Sequence, residues 1–234
     1  MARKPLPEKS LASNRDKIVS VFLALLAERR FEEISFADIA ARSGLSLADC
    51  RAEFGSLMGV LAAHVKEIDR QVLSGGDPDL AGEPPRERLF DVLMRRLEAL
   101  APHKAAIRSL LRSARRNPPL AFALNAMSVR SQQWMLTAAD IDAAGPAGML
   151  RAQGLALLYA SVLRTWVHDD DPGQARTMAA LDRELARAER CGRLLDDVCG
   201  IASALGRLRP GRRRRHEEPQ EPPPPPTGEE PLPI

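Results

Sequence analysis

The sequence predicts an all-α protein with an N-terminal helix-turn-helix domain of three helices, a C-terminal helical bundle and a disordered C-terminal tail. Composition is the first indication, because only 9 of the 234 residues are aromatic while Ala, Leu, Arg and Glu are abundant. Those abundant residue types favour helices over strands. The second indication is that apolar residues recur at the helical period, and the third is that prolines stand where helices would begin.

Four helices are predicted in the N-terminal part. They span Asn14 to Arg29, Phe36 to Ser43, Leu47 to about Glu53, and a segment that begins after Gly55 and Ser56. Ser35 and Ser46 are placed to cap the second and third helices, because a serine hydroxyl accepts from the free N–H groups of a first turn. Gly44 ends the second helix, as glycine does at many helix C-termini.

Five further helices are predicted after a loop at residues 74–84. They span Pro85 to Leu100, Pro102 to Arg116, Pro118 to Ala139, Pro146 to Val167 and Pro172 to about Leu205. Each begins near a proline, which suits the first turn of a helix. We therefore expect a disordered arm over 1–13, a helix-turn-helix domain over 14–73, a helical domain over 84–206 and a tail over 207–234.

Charge is concentrated in the tail. The net charge is +3, but residues 207–216 carry six arginines, residues 217–234 carry five acids, and nine of the 19 prolines lie beyond residue 209. Such a composition predicts disorder, with polyproline character in the proline run. The arginines fit phosphate binding, but the low-complexity composition favours a solvated tail whose acids screen its own bases.

Several functional classes are excluded. The sequence has no apolar run long enough for a membrane span and no signal-peptide core. Its three cysteines, Cys50, Cys191 and Cys199, are too few and scattered for a disulfide framework, so a reducing cytoplasm is expected. No catalytic set, phosphate loop or metal-ligand spacing is evident, so we expect no enzyme, cofactor or metal. The run from His168 to Asp171 fits a solvated corner better than a cation site.

The segment from Phe36 to Ser46 is the main indication of function in the sequence. A short helix, a glycine turn and a capped second helix form a helix-turn-helix, in which Ala40 is small at the helix crossing and Leu45 plugs the turn. In such units the second helix enters the major groove and its first residues meet base edges.

The segment from Arg15 to about Leu73 resembles the DNA-binding domain of TetR-family transcriptional regulators. Matching stretches are Ala27-Glu28-Arg29, Phe31 to Ser35, Asp38 to Ser46, and Phe54-Gly55-Ser56. The resemblance implies a homodimer that pairs through its last two helices, a double-stranded DNA operator, and a C-terminal domain that holds a small apolar ligand.

Candidate interface residues follow from the motif. Base contacts are assigned to Leu47, Ala48, Asp49 and Arg51. Phosphate or positioning contacts are assigned to Ser35, Arg42 and Ser46. In the alternative interpretation, the two serines are only helix caps and the two arginines are surface charges. Arg51 stands where the family usually has an aromatic residue, and Asp49 and Glu53 place acids on the recognition helix.

A second resemblance lies near the C-terminus. Trp166, the acidic corner after it, Thr177 and the run Leu181-Asp182-Arg183 resemble the end of the ubiquinone-biosynthesis accessory family, which implies a TetR-like fold that binds isoprenoid lipid. The sequence thus leaves two hypotheses, a ligand-responsive repressor and a TetR-fold lipid-binding or protein adaptor whose helix-turn-helix does not read DNA.

Large or adaptable side chains on the middle helices are the candidate ligand pocket. They are Phe122, Met127, Trp134, Leu158, Tyr159 and Trp166, with Met135, Leu155 and Leu163 beside them. Such residues line apolar ligand sites, and they also fill ordinary protein cores.

Overall fold

A computed structural model of the protein describes residues 13–76, 80 and 82–190, and within them it contains helices and no strand, which confirms the all-α prediction. The helices are α1 (Asn14–Glu28), α2 (Phe36–Ser43), α3 (Leu47–Glu53), α4 (Leu57–Ser74), α5 (Pro85–Leu100), α6 (Lys104–Ala114), α7 (Pro118–Ala138), α8 (Gly145–Trp166) and α9, over 175–190. Residues 1–12 of the predicted arm over 1–13, Cys191, Cys199 and the predicted tail over 207–234 lie outside the described residues.

Local sequence signals set the bounds of the helix-turn-helix. The Ser35 hydroxyl caps α2 and the Ser46 hydroxyl caps α3, each in a capping box with the acid three residues later. Gly44 lies between the two helices with φ of 72°, in the left-handed region that glycine enters at little cost. The turn therefore forms where the sequence predicts it.

A first apolar cluster holds the helix-turn-helix together. It contains the buried side chains of Ile18, Phe22, Ile39, Cys50 and Phe54. Residues of α6 and α7, namely Ala106, Leu110 and Leu120, complete the same cluster. The helix-turn-helix is therefore packed directly on the helices that follow it.

A second apolar cluster forms the centre of the bundle. It is built from buried side chains of α5, α7, α8 and α9, among them Leu93, Leu97, Met135, Trp166 and Leu181. Helix α4 contributes Val60 to the first cluster and Ile68 to the second, so one continuous helix joins the two. The division at residues 73 and 84 remains a prediction.

The corner after α8 differs from the sequence expectation. Pro172 was expected at the first position of the last helix, but α9 begins at residue 175, because Gln174 has φ of 50° and interrupts the helical backbone. The buried carboxylate of Asp169 accepts from the backbone N–H and the hydroxyl of Thr177, at 2.9 and 2.6 Å. The acidic corner thus closes the turn between the two helices.

Neither a helix that could span a membrane nor a cluster of metal-ligand side chains occurs in the described residues. No helix among them is long and apolar enough to cross a membrane. No group of three or more His, Cys, Asp or Glu side chains in the same residues is placed to hold a metal ion.

Candidate functional site

The outer surface of α3 presents the residues that were predicted to contact bases. Leu47 is 57% exposed, Ala48 and Arg51 are also exposed, and these three residues are called the recognition face. Cys50 is fully buried on the opposite side of the helix and anchors it to the first apolar cluster. The burial of one face thus orients the other towards solvent.

Asp49 has a structural role at the start of α3. Its Oδ2 accepts from the backbone N–H of Ser46 at 3.0 Å and from the Ser46 hydroxyl at 2.7 Å. These hydrogen bonds lower the pKa of the Asp49 carboxyl, because they favour its charged form. An acid on this helix is explained by capping, and Ser35 with Asp38 repeats the arrangement at α2.

The two arginines of the predicted interface differ in their partners. Both terminal nitrogens of Arg42 donate to the Glu28 carboxylate at 2.7 Å, so α1 holds this guanidinium in place. This pairing lowers the pKa of Glu28. Arg51 forms no ion pair with any residue that the structure describes. It is therefore the predicted interface cation whose charge is available to a partner.

The charge of the helix-turn-helix is nearly balanced. Residues 13–76 contain eight Lys and Arg and nine Asp and Glu. Duplex DNA binding normally draws on clustered cations that release counterions. Any DNA contact of this domain must therefore depend on a few well-placed groups.

A cavity of about 780 Å³ lies among α4, α5, α6, α7 and α8. Its walls are mainly apolar. Lining residues include Leu61, Ile107, Leu111, Leu124, Met127 and Leu163. The volume falls in the range of about 300–1,000 Å³ that small-molecule sites occupy.

Two of the six residues predicted for the ligand pocket, Met127 and Tyr159, line this cavity. Leu158 and Trp166 are buried in the second apolar cluster instead. Among the three residues named beside them, Leu163 lines the cavity, while Met135 and Leu155 lie in the cluster.

Phe122 and Trp134 lie on the outer surface of α7, where they are 79% and 58% exposed. Helical periodicity identifies apolar stripes along a helix, but α7 and α8 each carry apolar residues on several faces. Which stripe faces the cavity is decided by how α7 and α8 pack on the other helices.

Polar groups at the inner end of the cavity were not assigned to it from the sequence. The Tyr159 hydroxyl and the Arg96 Nε are buried, and neither has a hydrogen-bond partner in the described part of the chain. The Arg96 guanidinium lies 5.5 Å from the centre of the Tyr159 ring and pairs with the Asp69 carboxylate. Asp69 also accepts from the Ser131 hydroxyl at 2.7 Å. Burial raises the pKa of Tyr159 to about 12, so the phenol stays protonated.

His64 lines the same end of the cavity and is almost fully buried. Burial, followed by the nearby His103 ring and Arg96, lowers the pKa of His64 to about 4. The imidazole is therefore neutral at pH 7. The only sequence signal for this group was a histidine in the apolar period of α4, which more often indicates a core position.

Helix α6 connects the cavity to the helix-turn-helix. Ile107 and Leu111 line the cavity from α6. From the same helix, the Ser109 hydroxyl donates to the carbonyl of Arg29 at 2.7 Å, and the Ser113 hydroxyl accepts from the N–H of Phe31 at 3.1 Å. The same helix therefore forms part of the cavity wall and contacts the segment between α1 and α2.

Comparison with known proteins shows the fold. No model of a protein family matches the chain, and no curated protein sequence matches it. A solved TetR transcriptional regulator from Nitrosomonas europaea is 24% identical with a TM-score of 0.60, covering 76% of this chain and 98% of its own. One from a Rhodococcus species is 19% identical with a TM-score of 0.51, covering 74% and 95%. The chain has the TetR fold.

Proposed function

We propose that this TetR-fold protein is a ligand-responsive transcriptional repressor that binds a double-stranded DNA operator as a homodimer. The proposal rests on the two sides of α3. Its recognition face is open to solvent, and its buried side packs in an apolar cluster with helices that also line the cavity. A two-fold pair of such units suits the two half-sites of a palindromic operator.

The base contacts of the proposal lie on the recognition face. Arg51 supplies the charge and a donor fork for guanine, and Leu47 and Ala48 offer apolar contact to thymine methyl groups. Asp49 remains a candidate through Oδ1, because its capping box uses Oδ2. Ser35, Arg42 and Ser46 remain candidates for positioning contacts at the starts and sides of the helices.

Regulation in this proposal requires that the ligand prefers one spacing of the two recognition faces. A ligand shifts such an equilibrium only by its difference in affinity between the two states. Helix α6 is the element through which that difference would act, because it lines the cavity and hydrogen-bonds to Arg29 and Phe31, which follow the end of α1. The ligand-bound dimer would then leave its operator.

A mobility-shift assay with DNA from upstream of the gene tests the proposal. We expect Arg51→Ala to weaken operator binding by about tenfold, since one base-contacting arginine contributes about 1–3 kcal/mol. Arg130→Ala is the matched control, because Arg130 is an exposed arginine of α7, outside α3 and outside the two helices expected to pair the subunits. Equal binding by the wild type and Arg51→Ala would contradict the proposal, as would a light-scattering mass of one chain.

A second candidate function is ligand binding without DNA binding, as in a lipid-binding or protein adaptor of the same fold. The balanced charge of residues 13–76 and the pairing of Arg42 with Glu28 favour it. Native mass spectrometry distinguishes the two. Co-purified lipid together with no shift of any upstream DNA would support the adaptor.

A further inference from the structure

The outer part of the cavity is lined by cations. Four arginines of its wall, Arg108, Arg112, Arg115 and Arg164, lie on α6, at its C-terminal end and on α8, and His168 lies beside them. No aspartate or glutamate lines the cavity in the part of the chain that the structure describes. An apolar cavity with this lining has an excess of positive charge.

Three of these arginines have no partner for their charge. Arg112, Arg115 and Arg164 are exposed and form no ion pair with a described residue, and they are called the arginine rim. Arg108 differs, because its Nε donates to the carbonyl of Val167 at 2.9 Å. At the inner end, Arg96 is paired with Asp69. The unbalanced charge is therefore at the outer part of the cavity.

Hydrogen bonds from α6 to the segment that follows α8 connect the two sides of the rim. Lys104 donates to the carbonyl of Asp169, and Arg108 donates to that of Val167, one turn further along α6. Arg112 lies one turn beyond Arg108 on α6. Arg112 and Arg164 of α8 both line the outer part of the cavity.

The inner end of the cavity is unsuited to a negatively charged ligand group. A carboxylate placed beside Arg96 would also lie near the Asp69 carboxylate, and repulsion between like charges is strong in a buried site. The inner end instead presents the Tyr159 hydroxyl and the neutral His64 ring between apolar walls. It can accept the uncharged end of an elongated molecule.

We propose that the ligand of this cavity is an amphipathic anion. Its apolar chain occupies the cavity, and a single carboxylate or phosphate group lies at the arginine rim. This inference rests on the cavity being the ligand site of the proposed function. Electrostatic complementarity selects the ligand class here, because the apolar walls alone would accept neutral and charged chains of the same length.

Isothermal titration calorimetry on the full chain without DNA tests the inference. Four probes of one chain length are used at pH 7.5: dodecanoate, dodecyl phosphate, dodecanol and dodecyltrimethylammonium. Each is kept below its solubility limit, and the three ionic probes are also kept below their micelle concentrations. We expect one or both anions to bind at least about tenfold more tightly than the other two probes, a difference of about 1.4 kcal/mol. A preference between the two anions identifies the head group as a free acid or a phosphate ester.

Substitution of the rim separates a charge effect from a general loss of binding. The double variant Arg112→Gln, Arg164→Gln should lose the preference for anions and keep its affinity for dodecanol. Arg130→Gln, at an exposed arginine of α7 outside the cavity, is the control and should keep the preference.

Three results would overturn the inference. They are equal binding of dodecanol and the anions by the wild type, a preference that survives the double variant, and no binding of any probe. Because the assay contains no DNA, each result is independent of operator binding. A failed mobility shift would likewise leave this test unaffected.

Discussion

At the scale of single residues, the buried polar groups of the bundle form one cluster. Arg96 pairs with Asp69, Asp69 accepts from Ser131, and the guanidinium stacks on Tyr159. Buried ion pairs often add little net stability, but removing one partner leaves an uncompensated buried charge. The cluster therefore constrains how α4, α5, α7 and α8 pack, and it does so beside the cavity.

His64 makes stability depend on pH. Its folded pKa of about 4 lies below the ordinary value of 6.5, so between these values the unfolded chain binds a proton that the folded chain does not. Stability contributed by the neutral ring is therefore present above pH 6.5 and is lost as the pH falls. We expect the wild type to lose about 2.5 kcal/mol from this residue between pH 7.5 and 4.5.

Urea unfolding at the two pH values measures the effect. The variant His64→Gln has no titrating side chain at this position, so it should lose about 2.5 kcal/mol less than the wild type over the same interval. Groups that do not interact with His64 titrate identically in the two proteins and cancel in the comparison. An identical loss in both proteins would show that His64 is protonated in the folded state.

At the scale of elements, capping explains where helices begin and why acids occur there. Asp38 and Asp49 each occupy the third position of a helix and bond back to the capping serine. An acid in this position also interacts favourably with the positive end of the helix. The acids on the helix-turn-helix are therefore compatible with DNA binding, since local structure accounts for Asp49.

Two glycines of α8 provide a matched test of packing. A Cβ added at Gly148 would lie 2.1 Å from the carbonyl carbon of Ala143, whereas one added at Gly154 would meet no atom within 4 Å. Gly148→Ala should destabilise the protein by about 3 kcal/mol, because the α7–α8 connection must move. Gly154→Ala should stabilise it by up to about 1 kcal/mol, because alanine favours the helical backbone.

Thermal unfolding of the two variants checks this prediction directly. The signs of the two changes in melting temperature should be opposite. A Gly148→Ala variant that is as stable as the wild type would show that the connection before α8 is free to adjust.

At the scale of the whole molecule, α6 is the physical link between ligand and DNA in the proposed function. The Ser113 hydroxyl accepts from Phe31 N–H at 3.1 Å, and Asn117 donates to Glu32 at 3.1 Å. These bonds hold the turn between α1 and α2 against the end of α6. Movement of α6 would therefore move the base of the helix-turn-helix.

Ser113→Ala should weaken the coupling between the two sites. Coupling of this kind commonly changes affinity by about 5–150-fold, and the variant should bring the ratio of DNA affinities, without and with dodecanoate, close to one. Ser20→Ala, at an exposed serine of α1, is the control and should keep the wild-type ratio. Fluorescence anisotropy of labelled operator measures both ratios.

An unchanged ratio in Ser113→Ala would assign the coupling to another contact between α6 and the helix-turn-helix. The Ser109 bond to the Arg29 carbonyl would be the next to test. Loss of DNA binding without ligand would instead indicate that Ser113 mainly supports the helix-turn-helix.

Most helix bounds could be read from the chain, because they depend on interactions within a few residues. Ser35, Gly44 and Ser46 stand at the ends of their helices, and each acts through a neighbour at most four positions away. The all-α class and the helix-turn-helix follow from the same local signals. Pro102 and Pro172 are exceptions, since Pro102 lies in a 3₁₀ turn before α6 and the turn at Asp169 and Thr177 delays α9.

Tertiary packing decided the rest. Arg42 is paired with Glu28 across 14 residues, and Arg96 with Asp69 across 27 residues. Such pairs, the outward positions of Phe122 and Trp134, and the cationic rim of the cavity depend on how helices distant in sequence are arranged. The amino-acid pattern determined which segments are helical and which of them form the helix-turn-helix. Only the packing of those helices decided which side chains meet in the cavity and which arginines are left without an acid, because burial and charge pairing are properties of neighbours in space.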